Sequence, residues 1–207
     1  MPRFVDRGRA IGDYGGTLRA IIHALKYDRR RSIAPRLAAL MRERGADLLD
    51  GADLVVPVPL HWRRRRSRGF NQAADLAAHL GLPVRHALRR TRWTRPQVEL
   101  PAAQRHRNLR GAFAVVARPN ARGLSWAGWL ASETARERIR RRRRRAAADR
   151  TRGNPETRDW LNGRCVLLVD DVSTTGATLD ACARVLKAAG AREVRSLTAA
   201  RVVSQRR

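Results

Sequence analysis

Apolar positions along the 207-residue chain fall into two periodicities, separated by one long interruption. Leu18, Ile21, Ile22 and Leu25 recur at three- and four-residue spacing, and Leu37, Leu40 and Met41 repeat the pattern, so residues 17–49 read as helical. Pro35 suits the first turn of a second helix within that span, where a missing N–H is no loss. Residues 53–58 (DLVVPV) are rich in β-branched side chains and read as a buried strand ending in a proline-rich turn. An amphipathic helix is expected near Asn71–Leu80, capped by Asn71 and closed by Gly81 and Pro83. Residues 112–116 (AFAVV) read as a short strand. Later, Cys165–Val169 is apolar without alternation, the mark of a strand covered on both faces. Asp170 and Asp171 are expected to end it. Ser173–Thr178 follows as a small polar loop, Leu179–Ala189 as a helix stopped by Gly190, and Val194–Ala200 as a last strand. Strand, loop, helix and strand in that order make a parallel βαβ unit and an α/β fold.

The interruption is residues 119–160, with twelve Arg and five acidic residues. Turn-forming residues crowd its edges (Pro119, Asn120, Gly123, Gly153, Asn154, Pro155), and Trp126, Trp129 and Trp160 lie on no sustained apolar face. It reads as an Arg-rich insert in a single domain spanning 1–207, helical near Ser132–Ala148 and otherwise mobile. The whole chain carries 45 Lys plus Arg against 18 Asp plus Glu, a net charge of +27. Only Lys26 and Lys187 are lysines, and Arg136–Arg145 alone holds eight Arg. Such a balance points to an anionic partner, either nucleic acid or a phosphorylated small molecule. A base-composition bias in the source genome would equally favour Arg over Lys. The hydrophobic fraction of 43% suffices for a core. No apolar run nears the roughly 20 residues that span a bilayer. The N-terminus has no apolar leader segment, so a cytoplasmic location is the default. Cys165 and Cys182 are too few for a disulfide framework or a four-ligand zinc site and read as small core residues.

The segment richest in chemistry is Val166–Thr178, VLLVDDVSTTGAT. A buried parallel strand delivers two carboxylates toward its C-terminal end, where open α/β sheets bind ligands. Ser173, Thr174, Thr175, Gly176, Ala177 and Thr178 follow, all small and four of them hydroxylic. Their amides lead into a helix N-terminus, where unpaired N–H groups and the helix dipole favour an anion. Gly176 allows close backbone approach. Acids beside a phosphate cradle need neutral hydroxyls or a metal ion to face, and a sugar phosphate meets both demands. A solvated strand end is the plainer alternative. A phosphoacceptor receiver domain is a poor match, since only 36 residues follow Asp171.

Val166–Thr178 resembles the 5-phosphoribosyl-1-pyrophosphate (PRPP) signature of type I phosphoribosyltransferases. Leu25–Tyr27 (LKY), Val55–His61 (VVPVPLH), Arg68–Gln72 (RGFNQ), Pro96–Gln97, Arg105, Asn108 and Gly111–Phe113 (GAF) narrow the resemblance to the ComF/GntX-like family. The likeness covers residues 16–116 and 163–203. It implies a type I phosphoribosyltransferase-like fold, with a mainly parallel central sheet of about five strands flanked by helices. It implies that Asp170 and Asp171 contact the ribose hydroxyls, directly or through magnesium. Ser173–Thr178 would hold the 5-phosphate, and Pro59, Leu60, His61 and Arg68 would face the pyrophosphate. Thr94–Asn108 would be a mobile closing loop, with Gln97, Arg105 and Asn108 as its candidate contacts. The reaction implied is phosphoribosyl transfer from PRPP to a nitrogenous acceptor with release of pyrophosphate. The family's link to DNA uptake makes a non-catalytic competence accessory protein the alternative, with single- or double-stranded DNA held by the Arg-rich segments.

Plainer roles stand beside these. Arg63–Arg66 reads equally as a solvated surface, His61 as structural, Lys26 and Tyr27 as core packing, and Trp62 and Trp93 as core or base-stacking residues. The chain departs from many relatives in two ways. It has no cysteine before Cys165, so the four-cysteine zinc ribbon is missing and no zinc is expected. It also carries the insert, which reads as a nucleic-acid tether, a drifted surface loop or a frame artefact. The acceptor and the oligomeric state, a homo-oligomer included, are open at this level.

Overall fold

A computed structural model of the chain describes residues 3–28, 30–60, 66, 68–91, 109, 111–116 and 159–203. Among them, four strands form one parallel sheet in the order β1-β6-β5-β2, where β1 is Arg7–Ala10, β2 Leu54–Pro57, β5 Cys165–Ser173 and β6 Glu193–Arg201. Two further strands, β3 (Leu88–Arg90) and β4 (Phe113–Val115), pair antiparallel beside it. About five parallel strands were expected. The described residues supply four, and Val84 adds a single parallel bridge to Val55 outside β2.

The pleat of β5 organises the core. Successive strand side chains point to opposite faces. Cys165, Leu167 and Val169 accordingly pack with the N-terminal helices, whereas Val166 and Leu168 pack against the C-terminal helix. The first layer comprises α1 (Gly16–Tyr27), α2 (Ile33–Arg44), the short α3 (Ala46–Leu49) and α4 (Gln72–Ala77). The second comprises α5 (Ala177–Ala188), β3, β4 and the 3-10 turn Asp159–Leu161. Both cysteines are buried and free.

Several boundaries differ from the sequence reading. The helical span 17–49 is three helices, broken after Tyr27 and again at Gly45. A Cβ at Gly45 would lie 2.8 Å from both Leu197 methyl carbons, so this break lets the chain pass close over β6. Pro35 lies in the first turn of α2 as expected. The helix expected near Asn71–Leu80 ends earlier, at Ala77, and Asn71 caps it by accepting from the Ala73 N–H at 3.2 Å. β5 does not stop at the acids. It runs through them to Ser173, pairing Asp170 with Thr198 and Ser173 with Arg201. The loop is correspondingly short, and α5 starts at Ala177 rather than Leu179. Residues 119–158, nearly all of the insert, lie outside the described residues.

No helix among the described residues is long and apolar enough to cross a membrane.

Candidate functional site

The C-terminal edge of the sheet brings together the motifs singled out in the sequence. Because β5 continues through Asp170 and Asp171, its pleat turns the two acids to different layers. Asp171 faces α1. Its Oδ2 lies 2.9 Å from Lys26 Nζ, and its Oδ1 accepts from the Val172 N–H at 2.7 Å. This ion pair is largely withdrawn from solvent, with side-chain exposures of 15% for Lys26 and 12% for Asp171. Asp170 lies toward Cys182 of α5, and its Oδ1 accepts from the Asp171 N–H at 2.9 Å. Burial, and next the neighbouring Asp171 carboxylate, hold the Asp170 carboxyl well above the usual carboxylate range. Asp171 is thus ion-paired with Lys26, whereas Asp170 is a carboxyl biased toward its neutral, hydrogen-bond-donating form.

Beyond Ser173 the chain turns through Thr174, Thr175 and Gly176. Gly176 sits at φ +75°, ψ 0°, a left-handed conformation that costs an L side chain about 1–2 kcal/mol. From there the twelve-residue α5 begins, with Ala177 and Thr178 in its first turn. The Thr175 hydroxyl is buried with no hydrogen-bond partner. Buried donors are ordinarily paired. An orphan hydroxyl at a helix start, where N–H groups also lack partners, suits an anionic guest. Ser173, Thr174, Thr175 and Gly176 line a cleft of about 360 Å³ together with Arg201, Val202 and Val203. The Val202 N–H donates to the Ser173 carbonyl at 2.8 Å, joining two residues of the cleft lining.

Three other motifs converge on the same edge. Pro59 and Leu60, both half-buried, leave the sheet beside β5, where the Val58 N–H donates to the Val169 carbonyl at 2.9 Å. Asn71 of RGFNQ donates from Nδ2 to the Val58 carbonyl at 3.0 Å and so ties α4 to that turn. Arg68 of the same motif is engaged with LKY. Its guanidinium lies 4.9 Å over the Tyr27 ring and donates to the Tyr27 hydroxyl at 3.2 Å. His61, Gln97, Arg105 and Asn108 lie outside the described residues.

Sequence reasoning did not place Lys26, Arg201, Val202 or Val203 in the site. Lys26 did carry a signal, as one of two lysines in an arginine-rich chain. The Val202–Val203 pair has no motif around it and is recognised only through its exposure, 39% and 52%, beside the loop.

The fit to magnesium is partial. That ion wants near-octahedral oxygens and usually takes one or two carboxylates, with substrate phosphates and water completing the shell. No group of three or more metal-ligating side chains gathers among the described residues. Both Asp171 oxygens are already engaged. The two acids therefore fit the edge of an ion brought in with a phosphorylated substrate, and do not form a cage for a resident one.

Residues 97–207, more than half the chain, match the phosphoribosyl transferase domain family. "DNA utilization protein YhgH" of Escherichia coli (strain K12) is 30% identical over 194 residues, spanning 89% of this chain and 67% of that protein. "Competence protein F" of Haemophilus influenzae is 27% identical over 199 residues, 91% of this chain and 70% of that one. A 34-residue stretch, 16% of this chain, is 62% identical to part of the "Adenine phosphoribosyltransferase" of Rhodococcus opacus, 19% of that protein. The strand-end acids, the glycine-turned threonine loop and these likenesses agree, and the chain belongs to the phosphoribosyl transferase domain family, among its ComF-like members.

Proposed function

We propose that this chain binds PRPP at the C-terminal edge of the sheet and transfers its phosphoribosyl group to a nitrogenous acceptor, releasing pyrophosphate. The observation that carries the reading is the orphan Thr175 hydroxyl at the glycine-turned start of α5, one strand-end away from the acid pair. The loop Ser173–Thr178 takes the 5-phosphate, with backbone N–H groups and threonine hydroxyls as donors. Asp171, oriented by its ion pair with Lys26, accepts from a ribose hydroxyl, and Asp170 pairs with the neighbouring one. These contacts fix the sugar while the bond from C1 to the pyrophosphate oxygen breaks and a C1–nitrogen bond forms. Pro59 and Leu60 bound the side on which pyrophosphate departs. Magnesium entering with the substrate would be held at the edge of Asp170 and Asp171 and would neutralise charge on the departing pyrophosphate.

The reading is tested by Asp170→Asn combined with Asp171→Asn. PRPP affinity should fall by about two orders of magnitude, as expected when two carboxyl hydrogen-bond partners are lost. The circular dichroism spectrum should not change. Unaltered affinity in the folded variant removes the acids from the site.

A second reading, a nucleic-acid-binding accessory protein acting in the cytoplasm, draws on the net charge of +27 and on the printed names of the relatives. It differs from the first in having no phosphoribosyl transfer, with the basic residues outside the loop carrying the anionic partner.

A further inference from the structure

We propose that Lys26 is a positioning residue, the built-in counter-ion of Asp171, which lets the acid pair hold a ribose diol without a divalent cation. This inference rests on the PRPP-site reading and adds to it an element that the family match, which begins at residue 97, does not include.

The geometry makes the pair self-sufficient. Lys26 Nζ occupies one Asp171 oxygen at 2.9 Å, and the Val172 N–H occupies the other at 2.7 Å. The anion is therefore oriented and neutralised before any ligand arrives. Lys26 lies in the last turn of α1, where the helix dipole favours a cation. The next residue fastens that turn: Tyr27 is gripped by Arg68 through ring and hydroxyl, and the His23 ring lies 4.5 Å from its own. The clasp thus joins Arg68, in helical backbone ahead of α4, to the end of α1 and holds the ammonium beside the strand.

The residue type is informative as well. The chain has 43 arginines and two lysines, and both lysines sit in close ion pairs, Lys26 with Asp171 and Lys187 with Asp6 at 2.7 Å. An ammonium is a compact point charge that fits behind one carboxylate, whereas a planar guanidinium needs room for its fork.

A vicinal diol is neutral. A carboxylate at Asp171 beside Asp170, with no cation against it, would leave the pair with uncompensated charge that a divalent ion would have to offset. With Lys26 in place that need is met by the chain itself. Magnesium is then required by the pyrophosphate alone, and ribose 5-phosphate, which has the diol and the phosphate without pyrophosphate, should bind in its absence.

The test is calorimetric titration of the full chain with ribose 5-phosphate and with PRPP, in EDTA and in millimolar magnesium. Wild type should bind ribose 5-phosphate equally in both media. Lys26→Met should lose affinity by about tenfold or more in EDTA, the size expected for coupled neighbours, and recover most of it in magnesium. Lys26→Arg should fall between the two in EDTA. Equal affinity of wild type and Lys26→Met in EDTA overturns the inference, as does a loss that magnesium cannot restore in a folded variant. If Lys26→Met does not fold, Lys26→Met with Asp171→Asn removes both charges at once. Its affinity should be low and indifferent to magnesium, and a magnesium rescue there also overturns the inference. Failure of wild type to bind PRPP in either medium is a separate outcome, which removes the phosphoribosyl site itself.

Discussion

Asp170 stands where burial and a neighbouring carboxylate both oppose its charge, and the Asp171 N–H and the Lys26 ammonium offset only part of that cost. The sign of its effect on stability follows. Its carboxyl is raised in the folded state above the value of about 4 typical of an unfolded chain. Folding is therefore unpenalised below about pH 4 and loses stability as pH rises from there through the raised value. Asp170→Asn removes the penalty. In EDTA and without ligand, its melting temperature at neutral pH should exceed that of wild type, and the gain should vanish as pH falls toward about 4. A gain that is constant across pH would contradict the placement of this acid. Thr175 presents the same economy in a neutral group. Thr175→Val removes a buried hydroxyl with no partner, so folding stability should hold or improve by about 1 kcal/mol. PRPP affinity should drop nonetheless, because the hydroxyl is a phosphate donor. Denaturant unfolding and calorimetry on the same sample separate the two effects.

Among the elements, β6 does more than complete the sheet. Arg195 lies within it, only 8% exposed, and its guanidinium donates to both Glu193 carboxylate oxygens, at 2.7 and 3.0 Å. It also donates to the carbonyls of Leu48 and Asp50, which end α3. These are helix-end acceptors that would otherwise lack partners. Arg195→Met takes the guanidinium from both carbonyls and leaves Glu193 with the Cys165 thiol at 3.5 Å, and should cost about 2–4 kcal/mol of unfolding free energy in urea. How far each element was legible follows from its chemistry. CVLLV and the α5 stripe announce themselves because burial on one or both faces selects apolar residues. β1 (RGRA) and β3 (LRR) do not, because they are short arginine-rich segments, β1 with mostly solvent-facing residues and β3 with only Leu88 buried. The acids misled the boundary of β5 because polarity says where a core ends, whereas ladder pairing belongs to the backbone. β6 keeps pairing as far as Ser173. The motif LKY was readable, but its purpose was not: the 2.9 Å contact joins residues 26 and 171, a separation no local pattern encodes.

For the whole molecule, the +27 charge is the dominant fact outside the site. Part of it is internal, since Arg7 and Arg9 reach Asp47, and Arg31 reaches Asp75. The Arg-rich stretch within 119–160 is the densest remainder in the sequence. If it contacts phosphates, deleting residues 124–158 should lower DNA affinity and flatten its dependence on salt, since each phosphate neutralised contributes close to one unit of slope. Affinity for PRPP should be unchanged, because the loop and the acids lie outside the deleted stretch of sequence. DNA binding with an unaltered salt slope would make the segment a bystander.

The central claim is a working phosphoribosyl site at the C-terminal edge of the sheet. Its most direct test is titration of the purified chain with PRPP, with and without magnesium, in moderate salt that suppresses loose anion binding to so basic a protein. Saturable one-site binding, strengthened by magnesium, is the result expected. A folded sample that takes up no PRPP under either condition would contradict it.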